Sequence, residues 1–217
     1  LELETASCKI YVDMFDVFAA RGVWTLREGH SAAGRFQRAC LTFSPGANCT
    51  LPSLYSFMRG LVLPWHKRRV SRSARDDVQW AADMLRANTG RGYFSYDQFS
   101  HAPPVFTDAS KQSRYAGGGW VSGDGEYMWF VYGSSAARAP IDALEGDTVV
   151  SAVESNGHKW RRKVVTIYVD NQAFQLSAVK GWSKADRLNS SLKQLFFLCL
   201  RHECVLRFVW ISTHDNI

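Results

Sequence analysis

Val105-Phe-Thr-Asp108-Ala-Ser110 is the stretch on which the reading of the chain turns. Val, Phe and Thr favour a pleated, half-buried backbone, and one carboxylate follows them before two small residues. The pattern predicts the first strand of an α/β domain, with Asp108 at its exposed end. A carboxylate there does not pack, so it calls for partners. Val164-Val-Thr-Ile-Tyr-Val-Asp170 supplies one. This stretch is nearly all β-branched, as a central strand buried on both faces is, and it too closes on an acid.

Between the two acids the period stays that of strands. Residues 116–121 are Gly-rich and read as a second strand with close backbone approach; no Lys-Ser/Thr follows the glycines, so this is not a phosphate loop. Ser122-Gly-Asp-Gly125 reads as a hairpin turn and 127–132 as a third strand, antiparallel because the connections are short. Leu144, Thr148, Val149 and Val153 recur at helical spacing, which places Glu145 in the first turn of a helix packed on the sheet. A short helix over 171–179, a capping box at Ser183-Lys-Ala-Asp186, an apolar stripe from Leu188 to Leu200 and a last strand over 205–212 complete the order β-β-β-α-β-α-α-β. That order predicts a mixed five-stranded sheet flanked by helices.

A right-handed crossover brings Glu145 toward the strand ends that carry Asp108 and Asp170. Three acids with no cation close in sequence repel one another unless metal ions lie among them. Hard oxygen ligands suit Mg²⁺ or Mn²⁺, and two such ions clamp the attacking water and the leaving oxygen of a phosphodiester. A lone Asp at a strand end is more often a turn or cap residue, and a lone Glu in a first turn complements the helix dipole. The three together point to a nuclease.

Residues 1–102 read differently, as a mostly helical segment with helices over 10–20, 51–63 and 75–87, the last with Asp76 and Asp77 in its first turn. Within it, Trp65-His-Lys-Arg-Arg-Val-Ser-Arg-Ser-Ala-Arg75 holds five cations and a Trp. Lys67, Arg68 and Arg69 are therefore candidate contacts to a phosphate backbone; a solvated loop is the alternative. Turn-rich residues 88–104 read as a linker, which sets the domains at 1–102 and 103–217. The 217 residues carry a net charge of +6, a lean toward a polyanionic partner. Five cysteines without CxxC spacing read as reduced thiols of an intracellular protein, in cytoplasm or nucleus. In that setting the glycosylation sequons at Asn48 and Asn189 are chance matches. No apolar run is long enough to span a membrane, no signal peptide opens the chain, and the missing initiator Met suggests a piece of a longer protein.

Val-Phe-Thr-Asp108-Ala-Ser, Ala-Leu-Glu145 at a helix start and Ile-Tyr-Val-Asp170-Asn resemble the ribonuclease H domain of retroelement reverse transcriptases. The closing Val209-Trp-Ile-Ser-Thr-His214-Asp-Asn216 is similar to the stretch that, in long-terminal-repeat-like elements, runs on into Ala-Asp and then Ser-Arg. The Asp-Asn after the strand, Leu-Asn-Ser-Ser-Leu and His-Glu-Cys-Val look most like the DIRS type, in which a reverse transcriptase travels with a tyrosine recombinase. The resemblance covers about residues 104–217; more weakly, 1–100 resembles a thumb or connection segment, with Asp77-Val-Gln-Trp80 and residues 85–90. It implies a ribonuclease H-like fold and cleavage of the RNA strand of an RNA–DNA hybrid. Asp108, Glu145 and Asp170 would be ligands to two Mg²⁺ or Mn²⁺ ions, and His214 would help product leave. Trp160, Arg161, Arg162 and Lys163, with Ser110 and Asn171 beside the acids, would touch the hybrid. The rest of a reverse transcriptase polyprotein would be a partner. The family's fourth acid lies beyond the position of Asn216 on a last helix, so the domain is expected to lack its C-terminal helix. Two other readings compete: an inactive ribonuclease H-like scaffold that binds nucleic acid or protein, and a transposase or integrase core.

Overall fold

A computed structural model describes residues 5–40, 42, 51–87 and 97–216. They fall into two compact units, one of residues up to 87 and one from 97 on.

The first unit is built from four helices, α1 (Thr5–Ala20), α2 (Leu26–Cys40), α3 (Pro52–Met58) and α4 (Arg72–Ala87), with a two-stranded antiparallel ribbon of β1 (Val23–Thr25) and β2 (Lys67–Arg69). Helix α2 and the ribbon are absent from the sequence reading. The unit's core gathers Phe15, Trp24, Phe36, Leu54, Val78 and Leu85, all at most 2% exposed. The Trp24 indole donates to the Phe18 carbonyl at 2.8 Å, so its one polar atom is satisfied inside the core. Helix α3 stops at Met58 rather than running to residue 63, because Arg59 turns extended and Gly60 takes a positive φ of 83°.

Helix α4 starts three residues earlier than its sequence suggests, with the Ser71 hydroxyl accepting from Ala74 N–H. Asp77 therefore lies in the second turn, buried, and its carboxylate accepts from the N–H groups of Ser53 and Leu54 at the start of α3. A buried acid here caps another helix. At the opposite end of α3, the Arg68 guanidinium donates to the carbonyls of Phe57 and Arg59. Arg68 thus spends one guanidinium nitrogen on capping, while Lys67, Arg68 and Arg69 all remain exposed.

The second unit is a mixed sheet with helices against it. Its strands are β3 (Ser100–His101), β4 (Val105–Lys111), β5 (Ala116–Ser122), β6 (Tyr127–Val131), β7 (Lys163–Val169) and β8 (Val205–Trp210). β4, β5 and β6 are antiparallel neighbours, and β7 pairs in parallel with β4 on one side and with β8 on the other. β3 runs along the same edge of β7 as β4, since Ser100 pairs with Lys163 and Val105 with Ile167. Pro103 and Pro104, which cannot donate, interrupt what is otherwise one strand. The result is a mixed sheet of five positions, in the spatial order β6-β5-β4-β7-β8. Helices α5 (Ile141–Asn156), α6 (Gln172–Lys180) and α7 (Asp186–His202) complete the unit. No helix among the described residues is long and apolar enough to cross a membrane.

Alternation along β4 sorts the two faces: Val105, Thr107 and Ala109 are buried, while Asp108 and Ser110 are exposed. Gly118 opposes Ala109 on the buried face. A Cβ at Gly118 would collide with the Thr148 hydroxyl of α5, so glycine permits the helix to lie this close to the sheet. Thr148 in turn shares a hydrogen bond with the Tyr132 hydroxyl at 2.8 Å. The expected capping box at the start of α7 does not form. Ala185 is the N-cap, without a side-chain cap bond, and Asn189 instead holds both backbone groups of Ser183.

Two stability predictions follow from these contacts. Gly118→Ala is expected to lower the unfolding free energy by about 2 kcal/mol, because neither α5 nor β5 can move away without opening the core. Asp77→Ala, which strands one buried and one half-buried N–H group, is expected to cost about 2–3 kcal/mol. Urea denaturation followed by circular dichroism reads both.

Candidate metal centre

The parallel register between β4 and β7 builds the site. Val105, Phe106 and Thr107 stand beside Ile167, Tyr168 and Val169. Extended by one residue, that register sets Asp108 beside Asp170. Asp108 is not the end of its strand. β4 continues to Lys111 because β5 pairs with it along its whole length, whereas the β7 ladder stops at Thr107. Phe106 and Tyr168 stack at 4.8 Å two residues earlier on the same face and hold the two strands in step.

Glu145 comes from α5. That helix begins at Ile141 after Pro140, so Glu145 lies just past the first turn and Asp142 occupies the dipole position. Glu145 is 2% exposed. Its Oε1 accepts from Ala109 N–H at 3.3 Å, while Oε2 is buried without a hydrogen-bond partner. One carboxylate oxygen from each of Asp108, Glu145 and Asp170 lies within 4.8 Å of the others.

The electrostatics are unfavourable without a cation. None of the three acids forms an ion pair among the described residues. Two like charges at this separation cost roughly 3 kcal/mol at an effective dielectric near 20. That exceeds the 0.3–1 kcal/mol a helix dipole returns for a surface acid, so dipole complement does not account for the cluster. Burial, then the charges of Asp170 and Asp108, push the Glu145 carboxyl up to about 8, against the opposing Ala109 N–H. Burial and the Asp170 charge also raise the Asp108 carboxyl. A divalent ion fits this donor set. The ligands are hard oxygens, they converge from three separate elements, and the unpartnered Glu145 Oε2 gains a partner.

On the Asp108 face of the sheet a groove of about 440 Å³ lies beside the cluster, with Ser110, Gly117 and Gly119 near the acid and Trp129 opposite. A larger cleft of about 690 Å³ lies by β8, lined by Phe99, His101 and Phe208 among others, and holds none of the three acids. Its size does not make it the chemical site, since it lacks converging carboxylates.

The remaining candidates divide. Ser110 faces the groove. His214 is exposed in the turn after β8, next to Thr213, whose hydroxyl donates to Asp170. Asn171 uses its side-chain oxygen to cap α6, accepting from Phe174 N–H at 2.9 Å. Trp160 is 4% exposed and belongs to the core, so it is not a hybrid contact. Arg161 and Arg162 both pair with Glu203. They stand with Lys163 where β7 begins, seven residues or roughly 23 Å of strand from Asp170. The sequence reading missed Trp210 and Thr213, which bond the carbonyl and the carboxylate of Asp170. No local pattern marks them, because the contacts depend on how β8 registers with β7.

No family model and no curated protein sequence matches the chain. Solved structures do. Ribonuclease H1 from Halobacterium salinarum NRC-1 is 20% identical, with a TM-score of 0.42, over 52% of this chain and 88% of that one. The N-terminal ribonuclease H domain of Rv2228c from Mycobacterium tuberculosis, solved as a fusion with maltose-binding protein, is 14% identical, with a TM-score of 0.44, over 53% and 86%. LC11 ribonuclease H1, solved in complex with an RNA/DNA hybrid, is 17% identical, with a TM-score of 0.47, over 53% and 88%. At these values the likeness adds nothing to the site, which stands on its own registers and distances.

The raised Glu145 carboxyl sets a sign for pH. Its folded value of about 8 lies above the ordinary 4.5, so the metal-free fold loses stability as pH rises between the two. Glu145→Gln is expected to remove that slope in thermal melts. Binding of Mn²⁺ at pH 6.5 is expected to release close to one proton, and release is expected to fade above pH 8. Calorimetry in two buffers of different ionisation enthalpy counts that proton.

Proposed function

We propose that the second unit is a metal-dependent ribonuclease H that cleaves the RNA strand of RNA–DNA hybrids. The observation that carries this reading is the convergence of Asp108, Glu145 and Asp170 within 4.8 Å, unpaired with any cation and with Glu145 Oε2 buried and unpartnered. The sequence resemblance supports the finer part of the reading, namely a retroelement reverse transcriptase of the DIRS type acting in an intracellular polyprotein.

Bound Mg²⁺ or Mn²⁺, two ions in this reading, would supply a polarised water and charge neutralisation at the phosphodiester. The protein's own residues do the positioning. Asp108 and Asp170 are set side by side where the β4–β7 ladder ends. Glu145 is held from behind by Ala109 N–H, which leaves Oε2 directed away from that bond. Ser110, two residues along the same face as Asp108, borders the groove into which a nucleic-acid backbone can lie. His214 follows Thr213, which bonds Asp170, on an exposed turn, where a side chain can exchange with solvent as product leaves. In the first unit, Lys67 and Arg69 are exposed cations suited to phosphate.

Incubation of the chain with labelled RNA–DNA hybrid and Mg²⁺ or Mn²⁺ tests the proposal. The expected result is scission of the RNA strand alone, reduced by at least about a hundredfold in Asp108→Asn. Hybrid binding without cleavage under either metal would overturn the enzyme reading in favour of the scaffold.

A further inference from the structure

The turn that follows β8 bonds directly to one of the three acids. Four hydrogen bonds from Trp210 and this turn land on Val169 at the end of β7, on Asp170 just after it, and on Thr107 of β4. Ile211 N–H donates to the Val169 carbonyl, the Trp210 indole to the Asp170 carbonyl at 2.9 Å, the Thr213 hydroxyl to Asp170 Oδ2 at 3.0 Å, and the Asn216 amide to the Thr107 carbonyl at 3.0 Å. The turn is itself braced: Ser212 Oγ donates to Asp215 Oδ2, and the N–H groups of Asp215 and Asn216 return to the Ser212 carbonyl. Asn216 thus fastens the strand carrying Asp108, and Trp210 fastens the backbone of Asp170. Of the four, the Thr213 bond is the one made to a candidate ligand atom group.

A carboxylate hanging from the last residue of a strand rotates freely about χ1 unless something holds it. Asp108 repels it, and no cation among the described residues pairs with it. A single hydroxyl donor on Oδ2 fixes the rotation and leaves Oδ1 free, while accepting no charge that would compete with a metal ion. We infer that Thr213 is a positioning residue that orients Asp170 as a metal ligand. This rests on the metal-site reading above and deepens it.

The test is Thr213→Val, which keeps the shape and removes the donor, beside Thr213→Ser, which keeps the donor. Mn²⁺ binding is measured calorimetrically on the full chain, with thermal melting in chelator as a control. The expected result is affinity about tenfold weaker in Thr213→Val, near that of the unsubstituted chain in Thr213→Ser, and metal-free melting unchanged in both. Equal Mn²⁺ affinity in Thr213→Val and the unsubstituted chain would overturn the role of Thr213 while leaving the metal centre standing. Equal weakening in Thr213→Val and Thr213→Ser would overturn it as well, since the donor would then not matter. An unsubstituted chain that binds no Mn²⁺ would overturn the metal centre and this inference together.

Discussion

Parallel pairing between β4 and β7 is the constraint on which the second unit depends. It is a backbone register, three residue pairs long, and its continuation puts two carboxylates side by side. Nothing about the acids themselves favours that arrangement; their mutual repulsion opposes it. The register is imposed by the apolar residues before them, Val105, Ile167 and Val169 on the buried face and the Phe106–Tyr168 stack on the other. The core therefore does the work of holding the charges together, and the charges sit where the ladder ends and water or an ion can reach them.

The third acid arrives by a different route. Gly118 lets α5 press onto the sheet, Thr148 and Tyr132 lock that contact, and Glu145 is carried in from one turn away. One link is a packing contact and the other a hydrogen bond, both inside the core, and together they fix where Glu145 enters. Its burial raises the carboxyl to about 8 and leaves one oxygen with no protein partner. A purely structural acid in the same unit looks different: the Asp147 carboxylate is taken up by Ser191 and Arg187. The contrast separates acids that the fold satisfies from acids that it leaves open.

The cations show the same division. Arg68 caps α3, and Arg161 and Arg162 pair with Glu203, at a point where Arg162 and Glu203 both adopt positive φ. A basic cluster in a sequence is thus partly consumed by the fold, by helix carbonyls or by one well-placed glutamate. These pairings narrow the geometry of cations that all stay exposed, Lys67 and Arg69 included.

Much of the second unit was legible in the sequence. Strand and helix types and their order, the pairing of Asp108 with Asp170, and the approach of Glu145 all follow from period-2 and period-3.6 patterns, which are local properties of side chains. The first unit was less so: β1, β2 and α2 were missed, because three-residue strands leave no periodicity and α2 is punctuated by Gly29 and Gly34. Sequence also could not say which polar residues are spent. Trp160 reads as a hybrid contact beside three cations yet is buried, and Thr213, which no local pattern singles out, bonds Asp170. Local chemistry alone determined which residues could ligate or bind. Tertiary structure alone decided which of them come together, because burial, register and hydrogen bonding between residues as far apart as Thr107 and Asn216 exist only once distant segments have met.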